Sequence, residues 1–249
     1  MTGVIDIEGP TSITGDLIVN NVTQLVSLSS SSVTSIGGKF AMSGVTLLST
    51  LSFTSLTAVN QISWIALPAL SQLTFGTVGV TKVNTIRISD TFLSSLDGLN
   101  VATVDTFSID NNKRLVTYTS SLTSVNTLLS ITSNGDNLTI SAPQLIWAKE
   151  LEVQKVGNIN LPALKVVNSS MKFDQNDFAT FNAPNLTSTS SGDISFINNP
   201  NLTNITMPAL TKTGGGFTIQ NNTAMTTVNG FPNLRQVGGA VILRGSFSE

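Results

Sequence analysis

The 249-residue chain reads as an all-β solenoid of about eleven coils, either a right-handed parallel β-helix or a leucine-rich-repeat-like coil. Three observations predict this. An apolar–any–apolar triplet recurs every 20 to 24 residues, a spacing typical of solenoid repeats. No segment shows sustained helical spacing of strong helix formers, so an outer helix in each repeat is not expected. Ser and Thr supply roughly a quarter of the residues and Asn about a tenth, while only 10% are charged, against about 25% in ordinary soluble domains. Thr and other short hydroxyl side chains suit the outward positions of short strands.

The triplet sets the period. It occurs as Leu17/Val19, Phe40/Met42, Ile62/Trp64, Ile86/Ile88, Phe107/Ile109, Leu129/Ile131, Leu151/Val153, Met171/Phe173, Ile194/Phe196, Phe217/Ile219 and Val241/Leu243. These eleven coils cover residues 1–249 as a single domain. At ~4.8 Å per coil they form a rod about 50 Å long. About six residues on comes an inward apolar position, held by Leu25, Leu48, Leu70, Leu93, Leu115, Leu138, Ile159, Phe178, Leu202 and Met225. A second follows about three residues later, as in Leu28, Leu51, Leu73, Tyr118, Phe181 and Ile205. The sequence then gives an apolar-Pro-any-Leu element at Pro68, Pro143, Pro162, Pro184, Pro208 and Pro232, expected at one phase of the coil. Proline cannot donate to a ladder, so it suits a corner between strands.

Two further residue types recur in phase. Asn112, Asn134, Asn176, Asn199 and Asn222 each sit three residues past a triplet. One amide per coil predicts a structural asparagine ladder, each side chain bonding its own turn and the coil above. The competing reading is a row of amides presented to a ligand. Gly37-Gly38, Gly214-Gly215-Gly216 and Gly238-Gly239 precede triplets and predict either positive φ or close approach between coils. A phosphate-binding loop would need a following helix and a Lys-Ser/Thr pair, which these lack.

The composition excludes much chemistry. With no Cys there are no disulfides, thiolate metal sites or cysteine nucleophiles, and with no His there is no Ser-His-Asp triad. No cofactor and no metal site are expected. A net charge of −2 gives no basic field for nucleic acid. No apolar run approaches the ~18 residues of a membrane span. The start, Met1-Thr2-Gly3-Val4-Ile5-Asp6, lacks the basic region and apolar run of a signal peptide. That leaves a cytosolic chain or an excised piece of a secreted one.

Several stretches resemble the fungal GPI-anchored cell-wall organisation proteins, whose ectodomains are similar to receptor L-domains. They are Leu51–Val59 with Trp64 and Leu67–Leu70, Ser89–Leu99, Asn111–Leu115 and, most closely, Ala183–Gly245. The resemblance implies a cell-surface or cell-wall location, a wall-organising role and a lipid anchor in the family. It also implies a signal peptide, flanking cysteines, a Ser/Thr-rich stalk and an anchor signal. None of these occurs in this sequence, which is therefore expected to be a fragment or a shortened relative.

Candidate sites follow from motif and phase. Asn-any-Ser/Thr acceptors for N-glycosylation occur at Asn21, Asn137, Asn168, Asn185, Asn201, Asn204 and Asn221, although composition alone predicts about six. Asn201 and Asn204 flank inward Leu202 and Ile205 and are expected to point outward. The acid pairs that could support polysaccharide cleavage are Asp90 with Asp110 and Asp174 with Asp177. Arg114 is expected to pair with a neighbouring carboxylate. Trp147 is expected as a packed corner residue, with sugar stacking the alternative. No catalytic residues are assigned. The expected function is a non-enzymatic wall protein presenting Ser/Thr/Asn faces to wall polysaccharide or wall proteins. The alternative is a β-helical polysaccharide hydrolase or lyase. Ice binding is weaker, because the outward Thr column is interrupted.

Overall fold

A computed structural model describes residues 3–247. These residues contain no helix, and their short strands pair only in parallel, each strand with the equivalent strand one coil away. The molecule is thus a β-solenoid of about eleven turns.

Each coil has three faces. The anchor face carries the triplets on eleven stacked strands running from Leu17–Asn20 to Val241–Arg244. Its register is continuous: Leu17 lies opposite Phe40, then Ile62, Ile86, Phe107, Leu129, Leu151, Met171, Ile194, Phe217 and Val241. From Phe40 to Ile219 both inward columns are buried, because alternate residues point to opposite faces of a strand. Among the described residues no coil is stacked beyond the last, and Val241 and Leu243 of the same columns are exposed there. The second face is laid down by Gly3–Asp6, Leu25–Ser30, Thr50–Phe53 and Gln72–Phe75, then by Thr117–Thr119, Thr139–Ser141 and Asn158–Asn160. It ends with Thr180–Asn182 and Asn204–Thr206, which form a separate pair. The third face is built from two-residue strands such as Trp147–Ala148, Val166–Val167 and Lys212–Thr213. Aromatic side chains meet at four levels of the core, Phe40 with Phe53 and Trp64, Phe107 with Tyr118, Phe173 with Phe178, Phe181 and Phe196, and Phe217 with Phe231.

In the first ten coils the corner after the anchor strand is made by one left-handed residue each. Asn21, Gly44, Ala66, Asp90, Asn111, Ser133, Lys155, Gln175, Asn198 and Asn221 all have φ between 52° and 62°. Left-handed geometry costs a non-glycine residue roughly 1–2 kcal/mol. Here the backbone N–H of the residue is used: Asn111 donates to the Thr132 carbonyl, Ser133 to Gln154 and Asn198 to Gln220. The residue types vary so widely that no motif announces this column.

Three expectations change in detail. Pro143, Pro162, Pro184, Pro208 and Pro232 occupy the corner before the third face, but Pro68 lies at the corner after the anchor strand. Both corners use the same tight turn, Leu70 N–H to Leu67 C=O in one and Leu186 N–H to Ala183 C=O in the other, so a shared motif spans two phases. Ile159 pairs with Ile140 and Ile140 with Tyr118, so Ile159 belongs to the later inward column. The glycine runs serve close approach, with positive φ playing no part in them. A Cβ on Gly38 would lie 2.0 Å from Asp16 Oδ1, and one on Gly215 would lie 2.3 Å from Asp193 Oδ1.

Candidate functional site

A buried polar line of asparagines runs along the first corner. Asn112, Asn134, Asn176, Asn199 and Asn222 are all at most 4% exposed. Each follows a left-handed residue, which turns the next side chain inward over the core. Asn199 shows the pattern. Its Oδ1 accepts from the Asn176 backbone N–H at 2.9 Å and from Asn176 Nδ2 at 3.0 Å. Its own Nδ2 donates to the Phe173 carbonyl at 3.2 Å and to Asn222 Oδ1 at 3.0 Å. The amides therefore bond the coils on either side, and the expected bond to the residue's own turn is absent. The reason is geometric: the turn's N–H is already directed at the adjacent coil. Thr91 extends the line downward, donating through N–H and Oγ1 to Asn112 Oδ1. Coil 7 breaks it, because Val156 stands where an asparagine would be; its N–H still donates to Asn176 Oδ1 at 3.0 Å.

Outside the core the faces are columns of short polar groups. Thr34, Thr57 and Thr81 each send both N–H and Oγ1 to the backbone carbonyl of the preceding coil, and Thr123, Thr187 and Thr211 send Oγ1 in the same way. Beside them Asn84 donates to Asn60 at 2.8 Å and Asn126 to Asp105 at 3.1 Å. Among the described residues one ion pair forms, Lys172 with Glu150 at 2.8 Å, and it holds the lysine above its ordinary pKa. At the chain start, exposed Glu8 is held below the usual carboxylate range by the Ser31 backbone N–H and hydroxyl.

All seven glycosylation acceptors are exposed. The amide nitrogens of Asn185, Asn201, Asn204 and Asn221 donate to Pro162 O, Asp177 O, Thr206 Oγ1 and Asn198 Oδ1 respectively. Asn137 joins the left-handed residues at φ 56° on a corner tip. The acid pairs are differently placed. Asp90 and Asp110 share the Ser89 hydroxyl, at 2.8 and 2.6 Å, with Asn111 beside Asp90. Asp174 is held by Gln154, Gln175 and Asn198, whereas Asp177 is exposed and apart from that set. Among the described residues Arg114 pairs with no carboxylate. Its guanidinium lies 4.6 Å from the ring centroid of half-exposed Phe92, a cation–π contact that a charge-counting reading misses. Trp147 opens a third-face strand opposite Ser124 and Val166, half-buried, just past the corner where it was expected. No group of three or more acidic residues among those described could hold a metal ion.

Fold and surface together define a parallel β-solenoid with sparsely charged, hydroxyl- and amide-rich faces. The chain is homologous over most of its length to fungal GPI-anchored cell-wall proteins, at 29–34% identity. It is 29% identical to sporulation-specific protein 22 of Saccharomyces cerevisiae across 100% of this chain and 54% of that protein. It is 34% identical to a cell surface GPI-anchored protein of Arthroderma benhamiae, across 98% of this chain and 62% of the relative. It is 32% identical to the cell wall mannoprotein PST1 of S. cerevisiae, across 95% of this chain and 53% of that protein. The chain thus spans about half the length of the curated relatives it matches. No protein-family model matches it, and no solved structure does. By this family resemblance its location is the fungal cell surface or cell wall.

Proposed function

We propose that this chain is a non-enzymatic component of the fungal wall that holds wall polysaccharide, or proteins carrying it, against its polar faces. The observation that carries the reading is the register of the outward columns. Thr34, Thr57 and Thr81, with Asn60 and Asn84 beside them, repeat in register over successive coils, each hydroxyl donating to the coil before and leaving its oxygen to accept. Stacked like charges would repel at ~4.8 Å, whereas hydroxyls and amides bond to one another and to a hydroxylated polymer. Glycans on the seven exposed acceptors belong to the same reading, and would add saccharide to an already saccharide-like surface.

One arrangement favours the competing hydrolase: two carboxylates, Asp90 and Asp110, joined through one hydroxyl. Co-sedimentation with insoluble β-glucan, chitin, mannan and pectin, with reducing sugar assayed in the supernatant, separates the two. Retention on a polymer without sugar release is expected. Sugar release that Asp90→Asn or Asp110→Asn abolishes overturns the non-enzymatic reading, and failure to sediment with any polymer overturns the glycan-holding one.

A further inference from the structure

Coil 7 carries a notch, and we propose that the notch is a binding site for a short neutral saccharide segment. This rests on the wall-glycan reading and gives it one discrete site. The notch has a covalent origin. From the ladder position to the paired second-face residue the chain takes six residues in coil 5 (Asn112 to Tyr118) and six in coil 6 (Asn134 to Ile140). It takes six again in coil 9 (Asn199 to Ile205), but only three in coil 7 (Val156 to Ile159). The bulge that every neighbouring corner has is missing there. Gly157 makes the short cut possible: a Cβ on it would lie 2.6 Å from the Asn137 Cα. The corners of coils 6 and 8 then stand proud of coil 7 and enclose a cleft of ≈ 590 Å³, within the size range of small-molecule sites, roughly 300–1,000 Å³.

Its chemistry is that of a sugar site. Every lining residue is polar or glycine, including Lys113, Asn134, Asp136, Lys155, Gln175 and Asp177. Two lysines against two aspartates leave no net charge to select an anion, and no apolar side chain is there to receive a lipid or an aromatic ring. Lys113 Nζ is committed to the Ser133 carbonyl at 2.9 Å. The Lys155 ammonium and the Asp136 and Asp177 carboxylates have no hydrogen bond or ion pair among the described residues. A sugar hydroxyl both donates and accepts, so a mixed set of free donors and acceptors fits it better than a ligand of one sign.

The interrupted ladder supplies a second, independent observation. In an intact run, the Oδ1 of the next coil accepts the asparagine's backbone N–H and one Nδ2 hydrogen, as Asn199 does for Asn176. Val156 offers Asn134 neither, and Asn134 Nδ2 is left with the Ile109 carbonyl alone. Asn134, 4% exposed at the edge of the cleft, thus keeps donors unused where the ladder is broken at Val156. Along the same coils the cleft is followed by a depression of ≈ 390 Å³ over Thr139, Asn158, Asn160, Thr180 and Asn182. The saccharide chain can continue there, running from the corner onto the second face of the same coils.

The test uses the 249-residue chain made in a host that does not glycosylate, so that Asn137 at the rim stays bare. Chitotriose, laminaritriose and mannotriose are titrated separately by heteronuclear NMR. One of them should shift amide signals confined to residues 133–137, 155–158 and 175–177. Lys155→Ala with Asp177→Asn should weaken that binding at least tenfold at unchanged melting temperature. Lengthening the coil 7 corner by three residues copied from coil 9 should abolish it. Absence of shifts with all three sugars, or binding that survives both variants, overturns the proposal. If the protein still sediments with insoluble polymer in that case, the notch assignment alone has failed; if sedimentation is lost as well, the glycan-holding function has failed with it.

Discussion

Coils 2 and 3 and coils 8 to 10 solve the same corner with opposite chemistry. At the position after the left-handed residue the first pair buries Val45 and Leu67, and the later coils bury Asn176, Asn199 and Asn222 to the same depth. The aliphatic corners sit beside second-face strands of four residues, Thr50–Phe53 and Gln72–Phe75. The amide corners sit beside strands of three, Thr180–Asn182 and Asn204–Thr206, and the sheet is interrupted just before them. Where the second face is a continuous ladder, the corner needs only to exclude water. Where that ladder is short, the amides supply the coil-to-coil bonds that the strands do not. The two corners should therefore fail differently, one gradually with lost contact area and the other abruptly with stranded polar groups.

The largest expected effect is at the amide corner. Asn199→Ala removes four hydrogen bonds and strands the Asn176 N–H in the core, while the Phe173 carbonyl keeps only its strand-ladder bond, a loss of about 3 kcal/mol in urea unfolding. Asn199→Leu should rescue little of it, because it restores volume and no acceptor. Next comes Tyr118, at the join between the two regions. Burial pushes its hydroxyl up to about 12, with Ser120 opposing and Asp97 adding to the shift. A folded pKa above the unfolded value of about 10 means stability is intact below pH 10 and falls as pH rises towards 12, by about 2–3 kcal/mol. Tyr118 is the chain's single tyrosine, so its phenolate absorbance reports the titration directly, and Tyr118→Phe should flatten that slope.

At the aliphatic corner, Val45→Ala should cost about 2 kcal/mol, chiefly from the cavity it leaves. A loss as large as that of Asn199→Ala would erase the distinction between the corners. The smallest effect sharpens it. Val156→Asn should join the two amide runs and give the Asn134 N–H an acceptor, raising stability by about 0.5–1.5 kcal/mol. A destabilised variant would mean that coil 7 holds its valine for packing.

Much of this was legible because one period governs the whole chain. Leu17 through Val241 fall on a single column, as the triplet spacing predicts, and Asn112, Asn134, Asn176, Asn199 and Asn222 fall on another. Other features were hidden by degeneracy. Pro68 and Pro143 make the same turn at different corners, so the motif does not report its phase. Ile159 fits either inward column by type, which concealed the three missing residues of coil 7 even though its repeat, 20 residues from Leu151 to Met171, is the shortest. Arg114 had several acids nearby in sequence and an aromatic ring one coil away, and only the fold shows which it meets.

The sequence by itself determined the number of coils, the inward columns and the sparsely charged faces. Those depend on residue type at a fixed period, and stacking turns that period into columns whatever the shape of the corners. The tertiary structure alone decided where each corner's amides send their hydrogen bonds and which corner is cut short. Both depend on the backbone path through the turn. There a left-handed residue at Ser133 and Lys155, and a Gly157 pressed against Asn137, place neighbouring coils at distances that residue type does not encode.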